Sequence, residues 1–171
     1  MSTIETPEES QKLVVVTGAS RGLGLVICRM LVQKGYRVVG IARKHSVQLR
    51  ELEGSGDFSF TPFDLSNTRE IHKLCSSIVS EFGRPYALIN NAAMGLDGIL
   101  TTMHESEISG MLAVNVEAPI LLCKYFSRPM LLNQSGRIIN VASVVAATGY
   151  KGLAAYGATK AALVGLTKSL C

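Results

Sequence analysis

No stretch of this 171-residue chain is apolar over the roughly 20 positions that a bilayer-spanning helix needs, so no membrane partner is expected. Charge is scarce too. Asp, Glu, Lys and Arg make up 18% against 47% hydrophobic residues, the balance of a chain that buries a core and unlike that of a disordered one. The net charge is only +4 and the basic residues are scattered, so no face for nucleic acid is expected. Residues 1–12 lack a basic segment followed by an apolar one and carry Glu5, Glu8 and Glu9. They read as neither a secretory signal nor a transit peptide. The expectation is an exposed polar tail at 1–11 and one domain from Lys12 onward. Cys28, Cys75, Cys123 and Cys171 include no C-x-x-C pair. Free thiols in a reducing compartment are therefore expected, the cytoplasm or an organelle matrix. His45, His72 and His104 have no ligand spacing, so no metal site is expected.

What is present is an alternation of strand-like and helix-like segments, without repeats or linkers. Leu13-Val14-Val15-Val16 runs into Thr17-Gly18 with no polar residue before the threonine, as in a strand buried on both faces. Leu23, Val26, Ile27, Met30 and Leu31 follow at helical spacing and predict an amphipathic helix, which Gly35 stops. Residues 36–41 and 58–63 predict a second and a third strand. Asn67, with Glu70 three residues on, predicts a reciprocal cap. It would open a helix whose stripe is Ile71, Leu74, Cys75, Ile78, Val79 and Phe82. A fourth strand is predicted at 86–89, a long helix over 105–131, a fifth strand at 137–141 and a last helix from 154 to the end. Such alternation with short connections predicts an α/β fold, a doubly wound parallel sheet in three αβα layers.

Thr17-Gly18-Ala19-Ser20-Arg21-Gly22-Leu23-Gly24 stands between the first strand and the first helix. Glycine here lets the backbone turn sharply and approach a pyrophosphate, and the helix start adds free N–H groups and a positive dipole end. Alone, the same spacing also suits a plain turn. Tyr156 and Lys160 lie four apart, on one face of a helix. A phenol is a poor acid-base at neutral pH. A neighbouring ammonium favours its ionised form and suits it to proton transfer. Ser143 follows the fifth strand, at the carboxyl edge where such sheets bind ligands, and its hydroxyl can polarise a carbonyl. Pro119 comes four residues after Asn115. Having no N–H, it deprives the Asn115 carbonyl of its helical partner, and a kink is expected. That kink either serves the site or only bends the helix around the core.

In this order and at these separations, Thr17 to Gly24, Asn90-Asn91-Ala92-Ala93, Asn115 and Ser143 with Tyr156-x-x-x-Lys160 resemble the motifs of the short-chain dehydrogenase/reductase family. The resemblance covers residues 12–171 and implies a Rossmann domain that binds a nicotinamide dinucleotide. It implies cofactor contacts from Gly18, Ser20, Arg21, Gly22, Leu23 and Gly24, from Asp64 and Leu65 at the adenine, and from Asn91 and Ala92 in the cleft. Tyr156 and Lys160 would meet the nicotinamide ribose. It also implies catalysis by Ser143, Tyr156 and Lys160, with the freed carbonyl of Asn115 holding the water of a proton relay. Ala93 departs from the family's usual glycine and narrows the approach to the cofactor slightly.

The second strand ends Gly40-Ile41-Ala42-Arg43-Lys44, without the acid that holds the ribose hydroxyls of NAD. Arg43, with Arg21, suits a 2′-phosphate instead, so NADP(H) is expected over NAD(H). The plain alternatives are a solvated loop for Arg43 and Lys44 and a helix-start acid for Asp64.

Residues 135–170, with Leu96-Asp97-Gly98-Ile99-Leu100, look most like 3-oxoacyl-[acyl-carrier-protein] reductases and related carbonyl reductases. The implied activity is NADPH-dependent reduction of a small carbonyl substrate, free or held on a carrier protein. Steroid, sugar-alcohol and acetoacetyl-thioester enzymes share the motifs, and a cofactor-binding or interaction module without turnover is a further alternative. The chain stops inside the helix of Tyr156, with five strands where two mononucleotide-binding halves need about six. It is therefore expected to be C-terminally incomplete, leaving the strand at 137–141 an exposed edge. The family commonly pairs through the long helix and the Tyr156 helix, so a homo-oligomer of the full-length form is expected. Ile120, Leu121, Leu122 and Phe126 are either that contact or core.

Overall fold

The computed structural model describes residues 11–170. The expected tail thus lies outside the described residues except for Gln11, and Cys171 lies outside them as well. Five parallel strands form one sheet in the order β3-β2-β1-β4-β5. They are β1 (Leu13–Thr17), β2 (Arg37–Ala42), β3 (Phe58–Pro62), β4 (Ala87–Asn90) and β5 (Arg137–Asn140). The chain leaves β1 toward β3 on one side and returns to β4 and β5 on the other. The carboxyl ends of β1 and β4 therefore flank the point where the winding reverses, the place where such sheets take ligands.

The unbroken apolar run of β1 follows from covering the sheet on both faces. Leu13 and Val15 join Ile71, Leu74, Ile78, Leu122 and Phe126 in one core, under α3 (Ile71–Phe82) and α5 (Ala118–Leu132). Val14 and Val16 point the other way, to Leu25, Cys28 and Leu49 of α1 (Gly22–Gln33) and α2 (Val47–Glu53). Each such fully buried valine or leucine contributes roughly 1.5–3 kcal/mol relative to exposure. Leu122 and Phe126 are thus core, whereas Ile120 remains 44% exposed.

Two local expectations are corrected. Helix α1 is rotated from its predicted stripe: Gly24, Leu25 and Cys28 are buried, while Leu23, Val26 and Met30 are at least half exposed. A Cβ on Gly24 would lie 2.2 Å from the Gly18 carbonyl oxygen, so this glycine must face the sheet and sets the rotation. The reciprocal cap at Asn67 and Glu70 does not form. Thr68–Glu70 is a 3₁₀ turn without a side-chain cap, and Glu70 pairs with Lys73 at 2.7 Å instead. At the start of α4 (Glu105–Leu112) a side chain does reach back, Glu107 Oε2 accepting from the His104 N–H at 3.1 Å. Between α4 and α5 the predicted kink takes the form of a π-turn, Ala113–Glu117, in which the Ala118 N–H reaches the Ala113 carbonyl. Two short helices have no counterpart in the predicted elements, α2 and α6 (Val145–Thr148).

The run Glu105–Leu132 is long and apolar enough to cross a membrane by length and composition. Its apolar face is nevertheless used: Leu122, Cys123, Phe126 and Met130 pack into the core. At the other edge of the sheet β5 is open, with Ile139 51% exposed.

Candidate active site

The glycine-rich turn is anchored from β2, because the N–H groups of Gly18 and Ala19 both donate to the Ile41 carbonyl, at 2.8 and 3.2 Å. Gly18 adopts φ +70°, and a Cβ there would come within 2.9 Å of the Ala92 Cα. Gly22 adopts φ +55° and faces open space. Arg21 starts α1 without a side-chain cap, and the first turn holds no acid. Among the described residues, the N-terminal N–H groups and positive dipole end of α1, with open space beside Gly22, could hold the pyrophosphate of a dinucleotide. Ser20 is half-buried in the turn and Leu23 is exposed beside it.

Thr17 ties the turn to β4. Its buried Oγ1 accepts from the N–H groups of Asn91 and Ala92, each at 3.0 Å. The Asn91 side chain donates back to the Thr17 carbonyl at 2.9 Å. Asn91 and Ala92 therefore sit at the joint between the ends of β1 and β4. At the far side, Arg43 and Lys44 are exposed beyond β2. Asp64 accepts from the N–H and hydroxyl of Ser66 at 2.9 and 2.8 Å, both on Oδ1. These bonds, and more weakly the charge of Arg43, hold its carboxyl below the ordinary range. Leu65 is buried in the core with Ile41 and Ile71, so its side chain is occupied by packing.

Of the proton-transfer candidates, Lys160 reaches the end of β5 and the Tyr156 ring lies near its Nζ. Lys160, on α7 (Ala154–Leu170), is buried, and its Nζ donates to the Val141 carbonyl at 2.8 Å. That Nζ lies 5.8 Å from the centroid of the Tyr156 ring. Desolvation pushes the lysine below its ordinary pKa. Ser143 follows two residues after Val141, and its Oγ accepts from the Val145 N–H at 3.3 Å. The loop after β4 passes the same ring, since a Cβ on Gly95 would sit 3.7 Å from Tyr156 Cε2.

Asn115, fully buried in the π-turn, holds that loop. Its Oδ1 accepts from the Met94 N–H at 2.7 Å and its Nδ2 donates to the Met94 carbonyl at 2.8 Å. The same Nδ2 donates to Thr159 Oγ1 at 3.0 Å, and that hydroxyl donates to the Tyr156 carbonyl at 2.7 Å. The Asn115 side chain is thus a clamp among the loop, the π-turn and α7. Thr17, Met94 and Thr159 were missing from the residues singled out by sequence. Only Thr17 carried a signal, standing at the head of the glycine motif. A phenol and an ammonium thus share one face of α7 beside the loop that follows β4, an arrangement suited to proton transfer.

The short chain dehydrogenase family model matches residues 12–171. A 3-oxoacyl-[acyl-carrier-protein] reductase of Vibrio cholerae is 37% identical over 160 residues, 93% of this chain and 66% of the relative. Carbonyl reductase family member 4 of Xenopus tropicalis is 33% identical over 159 residues, covering 93% and 67%. This chain thus spans about two thirds of the length of these relatives. Among solved structures, a Streptomyces avermitilis short-chain dehydrogenase superposes with a TM-score of 0.90 at 30% identity, over 95% of this chain and 60% of that one. A metagenomic short-chain oxidoreductase in complex with NADP gives 0.88 at 36%, over 93% and 73%. The chain belongs to the short-chain dehydrogenase family.

Proposed function

We propose that this chain carries the NADPH-binding and proton-transfer apparatus of a reductase for the 3-oxo group of an acyl thioester, free or carrier-bound. The observation that carries the reading is the 2.8 Å bond from Lys160 Nζ to the Val141 carbonyl, with the Tyr156 ring 5.8 Å from the same nitrogen. It sets the cation near the phenol, at a strand end two residues before Ser143. Relatives named 3-oxoacyl-[acyl-carrier-protein] reductase and carbonyl reductase support the substrate class. The NADP complex of the metagenomic relative, and the lack of an acid after β2, support NADP over NAD.

Gly18, Ser20, Arg21, Gly22, Leu23 and Gly24 would hold the pyrophosphate side of the cofactor, Arg43 the 2′-phosphate and Asp64 the adenine. Asn91 and Ala92 would line the cleft, and Tyr156 and Lys160 would meet the nicotinamide ribose. When bound, the dinucleotide supplies the hydride. Ser143 Oγ holds the carbonyl oxygen, and Tyr156 Oη gives that oxygen a proton, completing the alcohol. Lys160 steadies the tyrosinate left behind. The Asn115 carbonyl, whose i+4 partner Pro119 has no N–H, holds the water through which the proton is replaced. The protein would pair through α5 and α7 and work in the cytoplasm or an organelle matrix, where the free Cys28, Cys75 and Cys123 would stay reduced.

Turnover of an acetoacetyl thioester, followed by loss of reduced-nicotinamide absorbance, tests the reading. Tyr156→Phe should lower kcat roughly 100- to 10,000-fold while sparing NADPH binding, the range of general acid catalysis. A Tyr156→Phe protein as fast as the parent would sink it.

A further inference from the structure

The segment between β2 and α2 is only four residues long, Arg43-Lys44-His45-Ser46. Arg43 and Lys44 are exposed, and neither makes a hydrogen bond or a close ion pair among the described residues. His45 is the opposite. Its Nε2 meets Glu53 Oε2 at 2.7 Å, its Nδ1 meets the Ser46 carbonyl at 3.0 Å, and its ring stands edge-on to Phe60 of β3 at 4.5 Å. Both partners of the ring nitrogens are acceptors. Ser46 then caps α2 by accepting from the Leu49 N–H at 3.3 Å. One residue thus binds the loop to the last turn of α2 and to the neighbouring strand. Other charges on the packed elements are Arg50 and Glu51 of α2, the latter paired with Arg29 at 3.7 Å; β3 itself bears none.

A four-residue loop with two unpaired cations loses conformational freedom when it grips an anion. Fixing it beforehand removes part of that cost, and the half-buried His45–Glu53 bridge at its third position does this. We propose that His45, through Glu53 and Phe60, is a positioning residue that pre-sets Arg43 and Lys44 for the 2′-phosphate of NADP. The inference rests on the NADP reading. It goes beyond it by assigning part of the cofactor preference to a residue that does not touch the phosphate.

Titrations of the chain with NADPH and NADH, side by side, test the idea. His45→Ala should weaken NADPH roughly tenfold, or about 1.4 kcal/mol, and leave NADH within about twofold. His45→Gln, which keeps a donor for Glu53, should recover part of the loss and guards against a misfolded alanine variant. Glu53→Gln should follow the same selective pattern more weakly. Equal weakening of both cofactors by His45→Gln, or none of either, would overturn the proposal and leave His45 a plain loop anchor. Arg43→Ala separates the two readings. If it fails to weaken NADPH selectively, the NADP assignment falls; if it does so while both His45 variants stay silent, only the positioning role falls.

Discussion

Two glycines in the same turn should fail in different ways when replaced. Gly24 is buried in the first turn of α1, and an added Cβ would lie 2.2 Å from the Gly18 carbonyl oxygen and 2.6 Å from Asn91 Nδ2. A Cβ has no rotamer, so Gly24→Ala must push the helix off the turn or open the turn itself. Alanine's better helix propensity returns about 1 kcal/mol. Overpacking costs about 1–3 kcal/mol or more, and an overlap with backbone belongs at the upper end. The net expectation is a loss of about 2 kcal/mol, which moves a urea midpoint down by about 1 M for a typical slope. Gly22 is the contrast. Its φ is +55° but nothing lies within 4 Å of an added Cβ. Gly22→Asn puts a residue that tolerates this conformation into open space, so stability should change by less than about 0.5 kcal/mol. That space is where the pyrophosphate is proposed to lie, so NADPH affinity should fall sharply. Urea melts paired with NADPH titrations read both effects. A Gly24→Ala midpoint equal to the parent's, or a Gly22→Asn loss as large as that of Gly24→Ala, would refute the assignment of packing to one and ligand approach to the other.

Thr17→Val keeps the shape of the side chain and removes the acceptor of the Asn91 and Ala92 N–H groups. Each donor left unpaired costs about 1–3 kcal/mol, so a thermal melt should drop well below that of Thr17→Ser, which keeps the hydroxyl. The buried thiols predict an alkaline limb. Desolvation pushes Cys28 and Cys75 up to about 12 from 9.0. Folded values above the unfolded ones mean stability present in full below pH 9.0 and lost as pH rises toward 12. The slope is up to about 1.4 kcal/mol per pH unit for each thiol, and Cys28→Ala with Cys75→Ala should flatten it in melts run across that window.

The strands were legible because each is short, apolar and set between turn residues. Residues 13–16 and 86–89 differ from β1 and β4 by a residue at an end. What periodicity misjudged was the rotation of α1. Leu23, Val26 and Met30 make the more obvious stripe, yet the helix turns Gly24 inward because only a hydrogen fits against the Gly18 carbonyl. A hydrophobic pattern carries no information about a contact made by the absence of a side chain. The cap at Asn67 failed for a similarly local reason, since Lys73 lies within reach of Glu70 and competes with the main chain for it. Helices α2 and α6 are too short for a periodic stripe, and α2 buries only Leu49.

The candidate site divides along the same line. Side chains proposed to meet a ligand stand in spaced motifs and are singled out by them: Ser143, Tyr156, Lys160 and the glycines. Side chains that hold those in place bond mainly to backbone, and any residue supplies a backbone. Asn115 clamps Met94 through its N–H and carbonyl, Lys160 grips the carbonyl of Val141, and Thr17 takes the N–H groups of Asn91 and Ala92. Nothing about methionine or valine marks positions 94 and 141 in advance. Such partners can change identity without changing the bond, whereas their geometry depends on Thr17, Asn115 and Thr159 keeping their polar atoms. Substituting Met94 should therefore disturb the loop beside Tyr156 far less than removing the amide of Asn115, although the two residues share the same two hydrogen bonds.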